Sequence, residues 1–271
     1  MKKVVRYTGI QPQYFPRLHY FARILDTDIF VIRDDCQYVS NHKYPDGSRG
    51  KSFQSHTPIK HSQGWYLLHV PIAHQGFRKI VDTEVDPKAS WVQDQLMTIK
   101  MAYGKTTHFP LVNQQISDLL RNQYPSLAEL NIATICWGLL KILGEPISKD
   151  ILSLDYVNKR LAKSHPFRLK SIRRGSLLAA LQNNKLSANE KIIAACHEVG
   201  ATEDYCGGTG LAAYLDINLL KKNGISITVQ DWKCREYTQQ FSKKHPFIPN
   251  LSIVDLLMNV PPKEVVKILH G

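Results

Sequence analysis

The amino-acid sequence predicts an α/β fold with a mostly parallel sheet, which opens with a βαβ unit and has a helical subregion inserted in the middle of the chain. Three observations predict this class. Strand, helix and strand patterns follow one another within residues 3–32. Apolar residues recur at helical spacing over residues 90–144. In the second half, helical patterns precede a strand-like run at 225–229, an alternation typical of parallel sheets.

The first strand and the first helix are separated by a loop that contains two prolines. Because Pro12 and Pro16 lack an amide hydrogen, we expect no regular helix before Leu18. Leu18, Phe21 and Leu25 then recur at helical spacing. This spacing predicts a helix that begins at Leu18 and ends at Leu25.

A second strand follows this helix. Residues 29–32 are β-branched or aromatic, which is typical of a buried strand. Strand, helix and strand in this order predict a βαβ unit with two parallel strands. Residues 39–50 are polar and rich in turn-forming types, so we predict a loop there. Strand character returns at 65–72.

The helical subregion has a recognisable end. Gly144 and Pro146 stand where the helical spacing stops, as at many helix ends. Two further helical patterns, at 177–181 and 188–199, lie in the second half, and Gly200 is positioned to end the second of them.

The length of 271 residues suits one large domain, or one domain with a helical insertion. We predict three parts along the chain. Residues 1–89 form an N-terminal α/β part that carries the candidate site loops, residues 90–146 form the helical subregion, and residues 147–271 form a C-terminal α/β part that completes the sheet.

Cysteine usage and hydropathy indicate the compartment. The five cysteines are an odd number and form no C-x-x-C pair, which argues against a disulfide framework and a zinc ribbon. The first ten residues lack the apolar core of a secretory signal. The longest apolar stretch, 132–143, is too short to cross a bilayer. We therefore expect a cytoplasmic protein without a membrane span.

The charge balance indicates the kind of partner. Lysine and arginine total 35 against 23 acidic residues, which gives a net charge of +12. Such an excess favours anionic partners, for example a nucleotide-activated sugar or an acyl carrier protein. It is equally compatible with tRNA, with an anionic membrane face, or with a solvated basic surface that has no specific ligand.

Two runs near the start of the chain carry a family resemblance. They read Gln11-Pro-Gln-Tyr14-Phe-Pro16 and, after the first helix, Phe30-Val-Ile-Arg-Asp34-Asp35-Cys36-Gln37-Tyr38. Both resemble signature runs of the WbqC-like protein family, and similar blocks continue in order as far as residues 247–259. The resemblance therefore covers most of the chain.

This resemblance implies a bacterial protein of O-antigen or capsule biosynthesis that transfers a group onto a sugar or carrier. Together with the adjacent Asp34 and Asp35 and the basic charge, it leads to the hypothesis of a transferase that moves an acyl or aminoacyl group to an amino sugar or a carrier-bound acceptor. Three differences from the family pattern limit which family properties can be assigned to this chain. Ile10 replaces the family histidine before Gln-Pro, Arg17 and His19 replace tryptophan and glycine, and His56-Thr57 replace an Arg-Asn pair. A catalytic role of the missing histidine cannot apply here.

Polar side chains follow the first two predicted strands. In an open parallel sheet, ligands bind outside the carboxyl ends of the strands. We predict that Asp34 or Asp35 acts as a general base or holds an amine or ribose. Gln11, Tyr14 and Gln37 are predicted to orient the substrate from the same hollow. Alternatively, one aspartate caps a turn and Tyr14 belongs to the core.

Several other side chains are candidates. His19, just inside the first helix, is a catalytic candidate, and His56 and Lys60 are candidates for substrate binding. Four histidines recur along the strand and turn region: His56, His61, His69 and His74. Their spacing fits no familiar zinc pattern, so we predict no metal site, and no sequence motif indicates a cofactor.

A glycine-rich stretch, Cys206-Gly207-Gly208-Thr209-Gly210, precedes a helical pattern. Glycines let the backbone approach a phosphate, so we predict that Gly207, Gly208 and Gly210 cradle a phosphate or carboxylate. Cys206 is a candidate nucleophile, provided that its pKa is lowered. The alternative is a strand-to-helix turn with an inert cysteine.

Aromatic and basic residues alternate near the end of the chain. Trp232, Arg235 and Tyr237 precede a basic group at 243–245. Such a pattern can grip a nucleotide base or nucleic acid. No recognisable nucleic-acid-binding motif is present, so a solvated loop is the favoured interpretation and we expect no nucleic-acid partner.

Two other functions remain open at this point. The first is adenylate or nucleotidyl transfer on a HUP-like fold, since a strand, a proline-containing loop and a helix also open such folds, although the paired His-x-Gly-His element is absent. The second is a non-catalytic module that docks an acyl carrier protein or a glycosyltransferase through its basic surface.

Overall fold

The computed structural model describes residues 4–43, 47–73, 76–87, 90–148, 151–213 and 215–270, without the side chains of Thr209 and Ala213. The strands are β1 (Arg6–Ile10), β2 (Ile29–Ile32), β3 (Asn41–Lys43), β4 (Arg49–Lys51), β5 (His56–His61), β6 (Gly64–His69), β7 (Ser171–Arg174), β8 (Glu203–Cys206) and β9 (Ser226–Val229). The helices are α1 (Leu18–Leu25), α2 (Trp91–Tyr103), α3 (Phe109–Leu120), α4 (Leu127–Ile142), α5 (Leu154–Leu161), α6 (Ala179–Gln182), α7 (Ala188–Glu198), α8 (Gly208–Ala213), α9 (Ile217–Lys222), α10 (Ile253–Asn259) and α11 (Pro262–His270).

The main sheet contains five strands in the order β7-β2-β1-β8-β9, and every neighbouring pair is parallel. The predicted α/β class is thus confirmed, with α2–α5 as the helical middle region. The chain starts in the centre of the sheet, builds outward through β2 to β7, and returns to the other side of β1 for β8. The strand order therefore reverses between β1 and β8, and such a reversal opens a crevice at the carboxyl edge of doubly wound sheets.

The opening βαβ unit agrees closely with the sequence pattern. Helix α1 has the predicted bounds, and β1 pairs with β2 in a register that joins Tyr7 to Ile29 and Ile10 to Ile32. The strand predicted at 225–229 is present as β9, from Ser226.

Two predictions for the segment after β2 were incomplete. Residues 39–50 contain most of an antiparallel hairpin, in which Asn41 of β3 pairs with Lys51 of β4. The polar β3 and β4 have no apolar alternation, so their sequence pattern resembled that of a loop. Residues 44–46, between the two strands, lie outside the described ranges. The strand predicted at 65–72 is β6, which pairs with β5 in a separate antiparallel hairpin and not in the main sheet.

Helix α4 is the centre of the helical region. It is buried on nearly all sides, as expected of a helix that is apolar all round. Gly138 makes its contact with α1 possible, because a Cβ atom there would lie 2.5 Å from the ring of Phe21. Gly144 and Gly200 follow α4 and α7 with a φ of 73°, so both helix ends were correctly predicted.

The sheet lies between two apolar cores. Phe30 and Ile32 face the larger core, which includes α1, the helical region, α10 and α11. Tyr7 and Val31 face the smaller core, which includes α7 and α9. The larger core draws on all three predicted parts of the chain, and the division into those parts stays a prediction. None of the helices in the described ranges is both long enough and apolar enough to cross a membrane.

Candidate functional site

The carboxyl edge of the main sheet brings several predicted residues into one region. Gln11 follows β1, Asp34 and Asp35 follow β2, and Gly207 follows β8. Because β1 lies between β2 and β8, these three loops are neighbours. The contacts of each side chain decide which of them are available to a ligand.

Asp34 is fully buried and held on both oxygens. One oxygen accepts a hydrogen bond from the Ser176 amide at 2.7 Å, and the other accepts from the Ser176 hydroxyl and the Arg174 guanidinium, both at 2.8 Å. Arg174 also donates to Glu129. The carboxylate therefore ties the end of β2 to the end of β7, and its role as a base stays a prediction.

Asp35 is similarly engaged. Both its oxygens accept hydrogen bonds from the Arg33 guanidinium, at 2.8 and 3.0 Å, and its side chain is only 3% exposed. Gly175 lies against it, since a Cβ atom at that position would lie 2.3 Å from Asp35 Oδ1. A substrate would have to displace these contacts to reach the carboxylate.

Gln11 contacts partners other than the aspartates. Its Oε1 accepts a hydrogen bond of 2.7 Å from the amide of Gln54, and its side chain also bonds Cys36. Tyr14 is fully buried, donates to Gln95 at 2.7 Å, and packs edge-on against Phe15. Tyr14 is therefore placed as a core residue.

His19 and Lys60 are also held by the fold. Burial lowers the pKa of His19 to about 3, and its Nδ1 lies 3.1 Å from the Asn250 side chain, so the imidazole is neutral near pH 7. Lys60 is fully buried, and its Nζ donates to Gln239 at 3.2 Å and to the carbonyl of Pro246. Lys60 thus joins β5 to the segment before α10.

The glycine-rich stretch is partly helical. A Cβ atom at Gly207 would lie 2.5 Å from the guanidinium of Arg23, while Gly208 begins α8 and Gly210 lies within it. Burial raises the pKa of Cys206 to about 11, so its thiol is protonated near neutral pH and is a poor nucleophile in this environment. The roles predicted for these residues stay predictions.

Two buried polar side chains lie on β1 and β8, where the strand order reverses, and they were not predicted as site residues from the sequence. Tyr7 and Asp204 are register partners on β1 and β8, and they are 1% and 4% exposed. Burial raises the pKa of Asp204 to about 7. The Tyr7 hydroxyl is buried, and it has no hydrogen-bond partner in the described ranges. Both groups are sealed from solvent, so a ligand would not reach them directly.

An open cleft of about 740 Å³ lies just beyond β2, and we call it the β2 cleft. Its lining includes Gln37, Tyr38, Asn41, Arg49, His69 and Phe77. Gln37 is one of the predicted substrate-binding residues. Phe77 is 94% exposed, so its ring is accessible to a ligand in the cleft. Arg49 has no acidic partner within 4 Å in the described part of the chain.

One lining residue of this cleft, His69, is a suitable proton acceptor. His69 is exposed and stacks on the buried His56 with ring centroids 4.3 Å apart. Partial desolvation by the surrounding protein, then the nearby charge of Lys51, lowers the pKa of His69, so its imidazole is neutral near pH 7. His56 Nδ1 lies 3.1 Å from both the Ser52 carbonyl oxygen and the Ser55 hydroxyl, which fixes the ring below His69.

Sequence reasoning missed His69, Arg49 and Asn41 as candidate site residues. His56 and His69 were noted as part of a histidine run, and their exact pairing across β5 and β6 was the signal that could have singled them out. His74, the last of that run, lies outside the described ranges. Within those ranges no three His, Cys, Asp or Glu side chains are placed to share a metal ion.

Comparison with known proteins places the chain in a family. The model of the WbqC-like protein family matches residues 11–267, which is most of the 271 residues. No curated protein and no solved structure matches the chain. The family is associated with O-antigen and polysaccharide biosynthesis loci. The chain therefore belongs to the WbqC-like protein family.

Proposed function

We propose that this protein is a transferase of surface polysaccharide biosynthesis, which binds a nucleotide-activated or carrier-bound amino sugar in the β2 cleft and transfers an acyl or aminoacyl group to its amine. The observation that carries the proposal is the combination, in one open cleft, of a neutral histidine, an arginine that has no acidic partner within 4 Å in the described ranges, and two aromatic rings. Family membership supports the polysaccharide context.

The lining of the cleft suits a sugar that carries a phosphate. Gln37 and Asn41 supply amide groups that can donate to and accept from sugar hydroxyls. Tyr38 and Phe77 supply apolar ring surface for the less polar face of the sugar. Arg49 offers a planar guanidinium, which matches the geometry of a phosphate. The volume of about 740 Å³ falls within the usual range of ligand pockets.

His69 is the proposed general base. In the transfer step the neutral amine of the sugar attacks the carbonyl carbon of a thioester donor, for which an acyl carrier protein is the proposed carrier. A nitrogen–carbon bond forms, the carbon–sulfur bond breaks, and the sulfur leaves with its electron pair. The proton lost by the amine passes to the His69 imidazole and neutralises the departing thiolate.

The direct test is turnover by the purified protein with a UDP-linked amino sugar and acyl carrier thioesters, read as a mass-shifted sugar. We expect His69→Gln to lower kcat by a factor on the order of 10²–10⁴, the usual contribution of a general base. Arg49→Gln should raise the Kd of the sugar nucleotide by about tenfold, because one charge-assisted hydrogen bond is lost. The exposed Arg121→Gln is the matched control and should change neither value. Unchanged turnover in His69→Gln would remove His69 from the mechanism.

The pH profile gives an independent check. A base acts when it is unprotonated, so turnover should be low in acid and rise through the pKa of His69, with the midpoint of the rise below the ordinary histidine value of 6.5. An acid limb centred above about pH 7.5 would contradict the assignment, because it would require a group with a raised pKa.

A further inference from the structure

We infer that a second cavity, on the α1 side of the sheet, binds a nucleoside phosphate. The cavity measures about 730 Å³ and lies between the second half of α1, β8, the segment after β9 and the end of α11. We call it the Trp232 cavity. It shares no lining residue with the β2 cleft, so the inference does not depend on the proposed transferase reaction.

Aromatic rings form part of its wall. Trp232 lines the cavity and is only partly buried. His270 stacks on Phe167 with ring centroids 5.2 Å apart and an interplanar angle of 13°. Trp232 and His270 are the accessible members of this set, since Phe167 is buried beneath His270, and flat accessible rings are the surfaces on which nucleotide bases stack.

The charges of the lining suit the rest of a nucleotide. Lys233 and Arg235 are exposed, and within the described ranges neither has an acidic partner within 4 Å. They are therefore available for a phosphate. Asp231 lies on the same wall and offers a carboxylate to ribose hydroxyls, the role that acidic residues play in many dinucleotide sites.

The other charged side chains of the lining, Asp26 and Arg168, already have ion-pair partners within the protein. Arg168 pairs with Asp28 at 2.7 Å, and Asp26 pairs with Arg6 at 2.7 Å. The groups left for a ligand are thus two cations, one carboxylate and the aromatic rings. A simple anion would leave the rings and the carboxylate unused, whereas a nucleoside phosphate engages all of them.

The segment that carries Trp232, Lys233 and Arg235 is held in place by hydrogen bonds of the residues that follow it. Two residues after Arg235, the Tyr237 hydroxyl donates to the fully buried Asp255 at 2.6 Å. The side chain of Gln239 donates to the Ile248 carbonyl at 2.8 Å. This segment of alternating aromatic and basic residues is therefore not a freely solvated loop. A preformed wall loses little conformational entropy when a ligand binds.

The test is calorimetric titration of the full-length protein with ADP and with UDP, beside ribose 5-phosphate and inorganic phosphate. We expect saturable binding of at least one nucleotide, and at least tenfold weaker binding of inorganic phosphate. Arg235→Gln should weaken nucleotide binding at least tenfold, and Trp232→Ala should do so while Trp232→Phe retains most of it. The exposed Arg121→Gln is the control and should bind as the parent protein does.

Several results would overturn the inference. Absence of saturable binding of both nucleotides would do so, and so would phosphate binding as tight as nucleotide binding. Nucleotide binding that is lost in Arg49→Gln and unchanged in Arg235→Gln would move the site to the β2 cleft. Thermal unfolding of each variant separates loss of binding from loss of fold. Failure of the transferase assay leaves these titrations fully interpretable, because they require no turnover.

Discussion

Replacement of Asp34 by asparagine separates a structural role of this carboxylate from the catalytic role that its position suggested. The substitution keeps the shape of the side chain but removes the charge that faces Arg174 at 2.8 Å. It also replaces one carboxylate oxygen by an NH₂ group, which cannot accept a hydrogen bond. The Ser176 amide and hydroxyl both donate to the native carboxylate, so one donor would lose its acceptor. Breaking a buried ion pair typically costs about 3–5 kcal/mol.

The expected cost lies at the lower end of that range. Arg174 keeps its second acidic partner, Glu129, and is not left wholly unpaired. We therefore expect Asp34→Asn to lower the free energy of unfolding by about 3 kcal/mol. With a denaturant slope of about 3 kcal/mol per molar urea, the midpoint of urea unfolding should fall by about 1 M.

The assay is urea unfolding followed by far-ultraviolet circular dichroism, with sugar transfer measured on the same preparations. Asp94→Asn is the matched control, because Asp94 is exposed and its carboxylate accepts one hydrogen bond, from Ser90 at 3.2 Å. Its midpoint should change by less than about 0.3 M. If Asp34→Asn kept its midpoint and lost turnover, the structural reasoning would be refuted and the carboxylate would be the base.

Acid should destabilise the protein through His19 and His56. Burial holds the pKa of His19 at about 3 and that of His56 at about 4, so below about pH 6.5 these two side chains take up protons in the unfolded chain but not in the folded protein. The free energy of unfolding should therefore fall from about pH 6.5 toward about pH 4. Urea midpoints measured between about pH 7.5 and pH 5 should show this slope, and a double glutamine variant at the two positions should have a shallower one; equal slopes would contradict the prediction. Gly9→Ala should destabilise the protein by about 1–3 kcal/mol, because the new Cβ atom would lie 2.3 Å from the Tyr7 hydroxyl. Tyr7→Phe alone should leave the free energy of unfolding unchanged or raise it, since that hydroxyl has no hydrogen-bond partner in the described ranges. Combined with Gly9→Ala, it should restore part of the lost stability. A destabilised Tyr7→Phe would contradict this reasoning, because it would reveal a partner of the hydroxyl.

Local sequence patterns were sufficient for the opening of the fold. The spacing of Leu18, Phe21 and Leu25 correctly predicted both ends of α1, because helical periodicity and the preceding prolines act within a few residues. The β3–β4 hairpin was missed for the converse reason. Its short strands are held by backbone pairing and have no apolar face, so they leave no periodic signal in the sequence.

The candidate site was less predictable. The position of Asp34 and Gln37 at a strand end followed from the parallel sheet. No pattern along the chain indicated that Arg174, which is 140 residues away, would pair with Asp34. The stacking of His69 on His56 likewise depends on the register of β5 and β6. Arg49 was hidden in a segment interpreted as a loop.

By itself, the sequence determined the βαβ opening, the helical middle region, the glycine-terminated helices and the family to which the chain belongs. These properties depend on short-range periodicity or on ordered blocks of residues, which can be read along the chain. The tertiary structure alone decided which polar groups are buried and paired, and which line the β2 cleft and the Trp232 cavity. The physical reason is that burial and ion pairing depend on contacts between residues far apart in sequence. An aspartate at a strand end can act as a base when it is free, and it becomes a structural anchor when a distant arginine pairs with it.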